Sequence, residues 1–218
     1  MSHERLRSSP TPTRGMLRPM QLFVSKVRGR AARLLGRSAL RAVGWRAVGE
    51  PPRAKRYVLI AAPHTSNWDL PYTLACAMAF DVKVQWVGKH TLFEGPMGWF
   101  MKALGGVPVE RHHRTNFVHQ MAELFDEHEE LALLVASEGT RSRVEHWKSG
   151  FYYIAKEAGV PIVLGFLDYA KKECGFGPEI QVTGDLSHDM DQIRAFYADK
   201  VGMYPERFGP IRLKTESS

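Results

Sequence analysis

The stretch YVLIAAPHTSNWDLP, residues 57–71, carries the pattern that decides the fold. It opens with an apolar run of strand length and continues, after Pro63, with small and polar residues. Ser66 and Asp69 have the S-x-x-D spacing of a helix N-terminus, in which the serine is the N-cap and the carboxylate lies in the first turn. The stretch therefore predicts a buried strand, a short loop that contains His64, and a helix.

The rest of the chain repeats this alternation of apolar runs with amphipathic segments of helix length. The predicted strands are residues 57–62, 82–87, 106–110, 131–135, 161–166 and 179–183, and the predicted helices are residues 68–80, 92–104, 116–129, 150–158 and 190–201. Strands that alternate with helices are typical of an α/β domain. We therefore expect residues 51–218 to form a mixed central sheet with helices on both faces.

The N-terminal part differs from the rest in charge. The first 56 residues contain 14 lysines and arginines and only two acids, whereas the whole chain of 218 residues has a net charge of +7. Residues 1–15 have the composition of a disordered basic tail. Residues 16–50 are predicted to form a basic amphipathic helical arm, helical as far as Val48, with Leu34 and Leu35 on its apolar stripe. Such an arm either binds a membrane interface or packs on its own domain.

His64 and Asp69 are the residues of the opening stretch that could carry chemistry. Five residues apart on one ideal helix, their side chains would point about 140° apart, so they can meet only if His64 lies in the loop. Asp69 would then hold the imidazole in one tautomer, and the other ring nitrogen could take a proton from a substrate hydroxyl. The alternative is a helix-capping aspartate beside an ordinary loop histidine.

Two further loops follow predicted strands, at the edge where open α/β sheets bind ligands. In GGVPVERHHRTN, residues 105–116, Arg111 could bind phosphate through its planar guanidinium group. In VASEGTRSR, residues 135–143, Arg141 could bind an anion and Glu138 could orient either Arg141 or a substrate hydroxyl. The alternative for both loops is a set of solvated charges.

Together with AGVPIVLGF, residues 158–166, these stretches resemble the four ordered sequence blocks of the glycerolipid acyltransferase family. The blocks are His64 to Asp69, Gly105 to Arg111, Glu138 to Ser142 and Val160 to Val163. The best-known members are 1-acylglycerol-3-phosphate acyltransferases. The resemblance implies transfer of a fatty acyl group from acyl-CoA or acyl-carrier protein to the hydroxyl of a lysophospholipid, most simply 1-acylglycerol-3-phosphate, giving phosphatidic acid.

The resemblance also implies roles for individual residues. It makes His64 the general base and Asp69 its partner, and it requires no metal ion and no resident cofactor. The substrate-binding residues that it implies are Lys89, Arg111, Glu138, Gly139, Thr140 and Arg141. The candidate oxyanion donors are backbone N–H groups just after His64 or those of Gly139 and Thr140. Family members usually have proline where this chain has Ser137, and many have N-terminal membrane helices where this chain has the basic arm.

The expected partners are therefore the acyl donor, the lysophospholipid and an anionic membrane surface contacted by residues 16–50. We expect a peripheral protein on the cytoplasmic face of the membrane, where anionic lipids attract the arm. Acylation of another hydroxylated lipid is one alternative. A non-catalytic basic protein that binds membranes or nucleic acid is another, but the basic residues lie outside the predicted domain, so no nucleic-acid partner is expected. The HExxH and GxSxG patterns of zinc peptidases and serine esterases are absent.

Overall fold

The computed structural model describes residues 29–109 and 114–217, and within these ranges the chain forms a seven-stranded sheet flanked by helices. The strands are β1 Arg46–Val48, β2 Arg56–Ala62, β3 Val84–Lys89, β4 Gly106–Val109, β5 Leu131–Leu134, β6 Ile162–Asp168 and β7 Glu173–Ile180. The helices are α1 Arg30–Ala42, α2 Asp69–Ala79, α3 Gly95–Ala103, α4 Arg114–Glu127, α5 Gly150–Ala158 and α6 Leu186–Tyr197.

The strands lie in the order β1-β7-β6-β2-β5-β3-β4, and β2 is the middle strand. Neighbouring strands are parallel except for the antiparallel pair β6 and β7, so the sheet is mixed. A strand that is covered on both faces needs apolar residues at every position. The run Tyr57–Ile60 meets this need, since all four of its side chains are buried.

Helices cover both faces of the sheet, as the sequence predicted. On one face Ile60 belongs to a buried cluster with Phe125 of α4, Ile154 of α5 and Ile193 of α6. On the other face Leu59 packs in a cluster that includes Ala77 of α2. Each fully buried side chain of this size stabilises the fold by roughly 1.5–3 kcal/mol. The two faces of the apolar run therefore hold two helical layers on one sheet.

Helix α1 packs on α2, so the domain-packing alternative for the arm holds for residues 30–42. Its buried face is made of Ala32, Gly36 and Leu40, while Leu34 and Leu35 are 66% and 56% exposed. The predicted apolar stripe is therefore exposed at Leu34 and Leu35, whereas Trp45, also predicted on this stripe, is buried. Two residues of the buried face, Ala32 and Gly36, are small, which lets the backbones of α1 and α2 approach closely.

The prediction of a helix as far as Val48 is wrong. Gly44 has a φ of 78°, a left-handed conformation that favours glycine and ends the helical segment. The next residues form β1, a parallel edge strand on β7. The predicted tail and the first part of the arm, residues 1–28, lie outside the described residues.

The last strand also begins earlier than predicted. β7 starts at Glu173 rather than residue 179 and ends at Ile180 rather than 183. It contains Gly175, Gly177 and Pro178, which are residues that strand patterns exclude. The two glycines are tolerated here because a bulky ring packs over each of them. Phe166 lies over Gly175, and Phe196 lies over Gly177.

Replacement of Gly36 tests the close contact between α1 and α2. A Cβ at this position would lie 2.8 Å from the carbonyl oxygen of Ala75 and closer still to the amide of Ala79. We expect Gly36→Ala to lower the free energy of unfolding by about 1–3 kcal/mol, as overpacking does. Urea denaturation measures the change. The control is Gly150→Ala at the start of α5, where the nearest atom to an added Cβ is 3.8 Å away; an equal loss in both variants would contradict the prediction.

Candidate active site

The candidate site lies at the carboxyl edge of three neighbouring parallel strands. His64 follows the end of β2, Glu138 follows β5, and Tyr169 follows β6 directly. β2 lies between β6 and β5, so these three chain segments meet at one edge of the sheet. This is the position where open α/β sheets bind ligands.

The His64–Asp69 pair predicted from the sequence is present. Nδ1 of His64 lies 3.0 Å from Oδ2 of Asp69. The same carboxylate oxygen accepts hydrogen bonds from the backbone N–H groups of Thr65, at 2.8 Å, and Ser66, at 2.9 Å. Asp69 is 3% exposed, whereas the His64 side chain is 26% exposed, so part of the imidazole ring faces solvent. The carboxylate favours the neutral tautomer with its proton on Nδ1, which leaves Nε2 as the candidate base.

The capping box differs in detail from the prediction. The bond from the Ser66 N–H to Asp69 is the one that a capping box requires. The Ser66 hydroxyl accepts from the N–H of Trp68, at 3.1 Å, and the regular helix begins at Asp69. The N-cap of α2 is Trp68, and in the described structure no side chain caps it. Asp69 instead holds the loop that precedes α2 and orients His64 with one carboxylate.

Tyr169 is a site residue that the sequence reasoning missed. Its hydroxyl donates a 2.7 Å hydrogen bond to Oδ1 of Asp69, the oxygen that does not face His64. Burial, reinforced by the bond to Asp69, raises the pKa of Tyr169 well above its usual value, so the hydroxyl keeps its proton. The Tyr169 ring packs edge-on against Trp45 and Tyr72. No pattern links residues 100 positions apart; the available signal was an aromatic directly after a buried strand.

Glu138 lies beneath the His64 loop. It is 1% exposed, and its Oε1 accepts a 2.6 Å hydrogen bond from the backbone N–H of His64. Burial raises the pKa of Glu138 to about 8; the His64 N–H opposes this rise, and the charge of Asp69 adds to it. The carboxyl group is therefore mostly protonated at neutral pH. This placement favours a role in positioning His64 over the direct substrate contact predicted from the sequence.

The rest of the third-block loop is exposed and lies beside a cavity. Gly139 has a φ of 71°, a left-handed conformation that favours glycine at this position. Thr140 and Arg141 face solvent. Arg141 lines a cavity of about 210 Å³ next to the start of α2. The other lining residues are Thr65, Ser66, Asn67, Trp68, Tyr204 and Arg207. Arg141 and the loop that carries His64 thus share one cavity.

Two predicted residues remain, Lys89 and Arg111. Lys89 ends β3, so its backbone lies at the same edge of the sheet. Arg111 falls outside the described residues, two positions after β4 ends at Val109. The structure therefore brings together His64, Asp69 and Glu138 and places Arg141 at the adjoining cavity.

This fold and this site define an α/β enzyme whose candidate base is a histidine held by a buried aspartate. Residues 46–163, more than half of the chain, match the family model described as Acyltransferase, and the chain belongs to that family. The resemblance to glycerolipid acyltransferases, carried by the four blocks, is confirmed.

A solved structure shares the fold. The 1-acyl-sn-glycerophosphate (LPA) acyltransferase PlsC from Thermotoga maritima is 18% identical, with a TM-score of 0.51 over 77% of this chain and 74% of that chain. No curated protein matches the chain. Within residues 29–109 and 114–217, none of the helices combines the length and the apolar character that crossing a bilayer demands.

Removal of the Tyr169 hydroxyl tests its role as a positioning residue. We expect Tyr169→Phe to lower kcat for acyl transfer roughly tenfold, because Asp69 loses a donor to a charged oxygen. KM should stay within about twofold of the wild-type value, since the hydroxyl faces Asp69. The control is Tyr72→Phe, a change in the same aromatic cluster, whose hydroxyl does not bond Asp69 in the described structure. An equal loss of kcat in both variants would mean that Tyr169 has only a packing role.

The raised pKa of Glu138 predicts a pH-dependent stability. Between its ordinary pKa of 4.5 and its folded pKa of about 8, the unfolded chain loses this proton and the folded chain keeps it. Rising pH therefore destabilises the wild type across this window. Glu138→Gln cannot ionise, so its free energy of unfolding relative to wild type should rise from pH 4.5 to 8 and level off above.

Urea unfolding at a series of pH values between 4.5 and 9 measures this difference. The matched control is Glu129→Gln, which removes an exposed carboxyl group outside the site. A flat curve for Glu138→Gln would mean that the folded protein holds Glu138 as an ordinary ionised carboxylate.

Proposed function

We propose that this acyltransferase moves a fatty acyl group from the thioester of acyl-CoA or acyl-carrier protein to the hydroxyl of a lysophospholipid, as a step of phospholipid biosynthesis. The observation that carries the proposal is the His64–Asp69 pair, whose partly exposed imidazole lies at the carboxyl edge of the sheet. The first candidate acceptor is 1-acylglycerol-3-phosphate. It is supported by the name of the Thermotoga maritima protein that shares the fold.

His64 acts as general base in the proposed reaction. Nε2 takes the proton of the acceptor hydroxyl as the hydroxyl oxygen attacks the thioester carbonyl. The tetrahedral intermediate then collapses, the C–S bond breaks, and the imidazolium returns the proton to the leaving thiolate. Asp69 stabilises the imidazolium between these steps, and Glu138 and Tyr169 hold the pair in place.

The developing oxyanion needs preorganised donors. The N–H groups of Thr65 and Ser66 are both engaged by Asp69, which argues against them. We therefore favour the backbone N–H groups of Gly139 and Thr140. The positive φ of Gly139 turns the backbone at this point of the loop.

The acceptor phosphate is the natural ligand of the cationic residues. Arg141 at the cavity is the leading candidate, with Lys89 at the end of β3 and Arg111 of the second sequence block as further contacts. A guanidinium group binds phosphate through two parallel hydrogen bonds, which would fix the acceptor hydroxyl relative to His64.

The arm supplies the membrane contact in this proposal. The exposed face of α1 carries Leu34 and Leu35 next to Arg30, Arg33 and Arg37. Apolar and basic residues side by side are typical of helices that lie in an anionic membrane interface. We therefore place residues 16–50 on the cytoplasmic face of a membrane, where acyl donors are made.

Acyl transfer by the purified protein tests the chemistry. Labelled oleoyl-CoA is mixed with lysophosphatidic acid in anionic vesicles, and we expect labelled phosphatidic acid. His64→Ala should lower the rate at least about a hundredfold, because a positioned base contributes that much or more. The control is His188→Ala, an exposed histidine on α6, which should behave as wild type. Product from His64→Ala at the wild-type rate would exclude His64 as the base.

The same assay separates the other parts of the proposal. Monoacylglycerol as the acceptor, or an acyl-carrier protein as the donor, tests the substrate assignments. Vesicles with and without anionic lipid test the arm, and equal rates on both would contradict an electrostatic membrane contact. No product with any acceptor would overturn the lysophospholipid proposal itself.

A further inference from the structure

The segment after α6 packs against the loop that carries His64. The N–H of Tyr204 donates to the Thr65 hydroxyl at 3.2 Å, and Nη1 of Arg207 donates to the Thr65 carbonyl at 3.4 Å. A Cβ on Gly202 would lie 2.8 Å from the same hydroxyl oxygen. These contacts fix the segment against the residue that directly follows His64.

The cavity beside this loop is lined by two arginines from distant parts of the chain. Arg141 comes from the loop after β5, and Arg207 comes from the segment after α6. No carboxylate is among the described residues that line the cavity. The lining also offers the side-chain amide of Asn67 and the hydroxyl of Ser66. Its chemistry is therefore that of an anion site.

The Arg207 side chain is held in place without being neutralised by a close ion pair. Its guanidinium group lies 4.2 Å from the centre of the Tyr204 ring, a stacking contact that restricts its rotation. The acid nearest to it is Glu206, 3.9 Å from Nε and itself 70% exposed, so the pair is weak. The guanidinium can still bind an anion in the cavity.

We propose that Arg207 and Arg141 together bind a phosphate monoester in this cavity. Two guanidinium groups at one cavity suit a dianion better than a carboxylate or a neutral headgroup. The monoester belongs either to the acceptor lipid or to the 3′-phosphate of CoA. The inference depends on the proposed acyl transfer only for the identity of the molecule that carries the phosphate.

Binding of soluble phosphate monoesters tests the site without catalysis. Isothermal titration with sn-glycerol 3-phosphate, CoA and 3′-dephospho-CoA is carried out on the full chain and its variants. We expect Arg207→Gln to weaken binding of the monoester roughly tenfold, and Arg207→Lys to weaken it less. The control is Arg212→Gln, in the same C-terminal segment and equally exposed, whose partner is Glu145 outside the cavity.

The pattern of losses identifies the ligand. A loss for glycerol 3-phosphate assigns the cavity to the acceptor. A loss for CoA but not for 3′-dephospho-CoA assigns it to the donor. Either result supports the arginine pair. The absence of saturable binding of any monoester to wild type overturns the site, and so does an equal loss in Arg212→Gln.

Kinetics give a second readout. If the acceptor occupies the cavity, Arg207→Gln should raise KM for lysophosphatidic acid about tenfold and should raise KM for monoacylglycerol, which has no phosphate, by much less. Should wild type transfer no acyl group to any acceptor, the proposed function fails while the titrations still decide the phosphate site. Thermal unfolding of each variant excludes a loss caused by misfolding.

Discussion

The site depends on the hydrogen bonds that the carboxylate of Asp69 accepts. It is buried, and it accepts from the backbone N–H groups of Thr65 and Ser66, from the Tyr169 hydroxyl and from the imidazole of His64. A buried charge is tolerable only when it is hydrogen-bonded in this way. These bonds fix the loop between β2 and α2 and the ring of His64, so one residue holds both the loop and the candidate base.

The order of the strands explains why so few residues are enough to hold His64 and Asp69 in place. β2 enters between β5 and β6, whose following loops deliver Glu138 and Tyr169 from opposite sides. One carboxyl holds the backbone of the histidine, and one phenol holds the far oxygen of the aspartate. The rigid apolar strands beneath them make these contacts reproducible.

The sequence was informative where the determinants are local. The strand, loop and helix around His64 lie within 15 residues, and the apolar pattern and capping spacing were enough to predict that the histidine and the aspartate meet. The contacts of Tyr169, Glu138 and Arg207 join residues from 74 to 142 positions apart, and no periodicity encodes such contacts. Strand β1 was missed because its pairing with β7, rather than its own three residues, makes it a strand.

The protonated state of Glu138 also concerns the substrates. Both proposed substrates are anions, and a second ionised carboxylate beside Asp69 would repel them in a setting of low dielectric constant. With Glu138 neutral, an imidazolium formed at His64 in the proposed reaction would be balanced by Asp69 alone. Burial of this carboxyl thus lowers the electrostatic repulsion that the proposed anionic substrates would meet near His64.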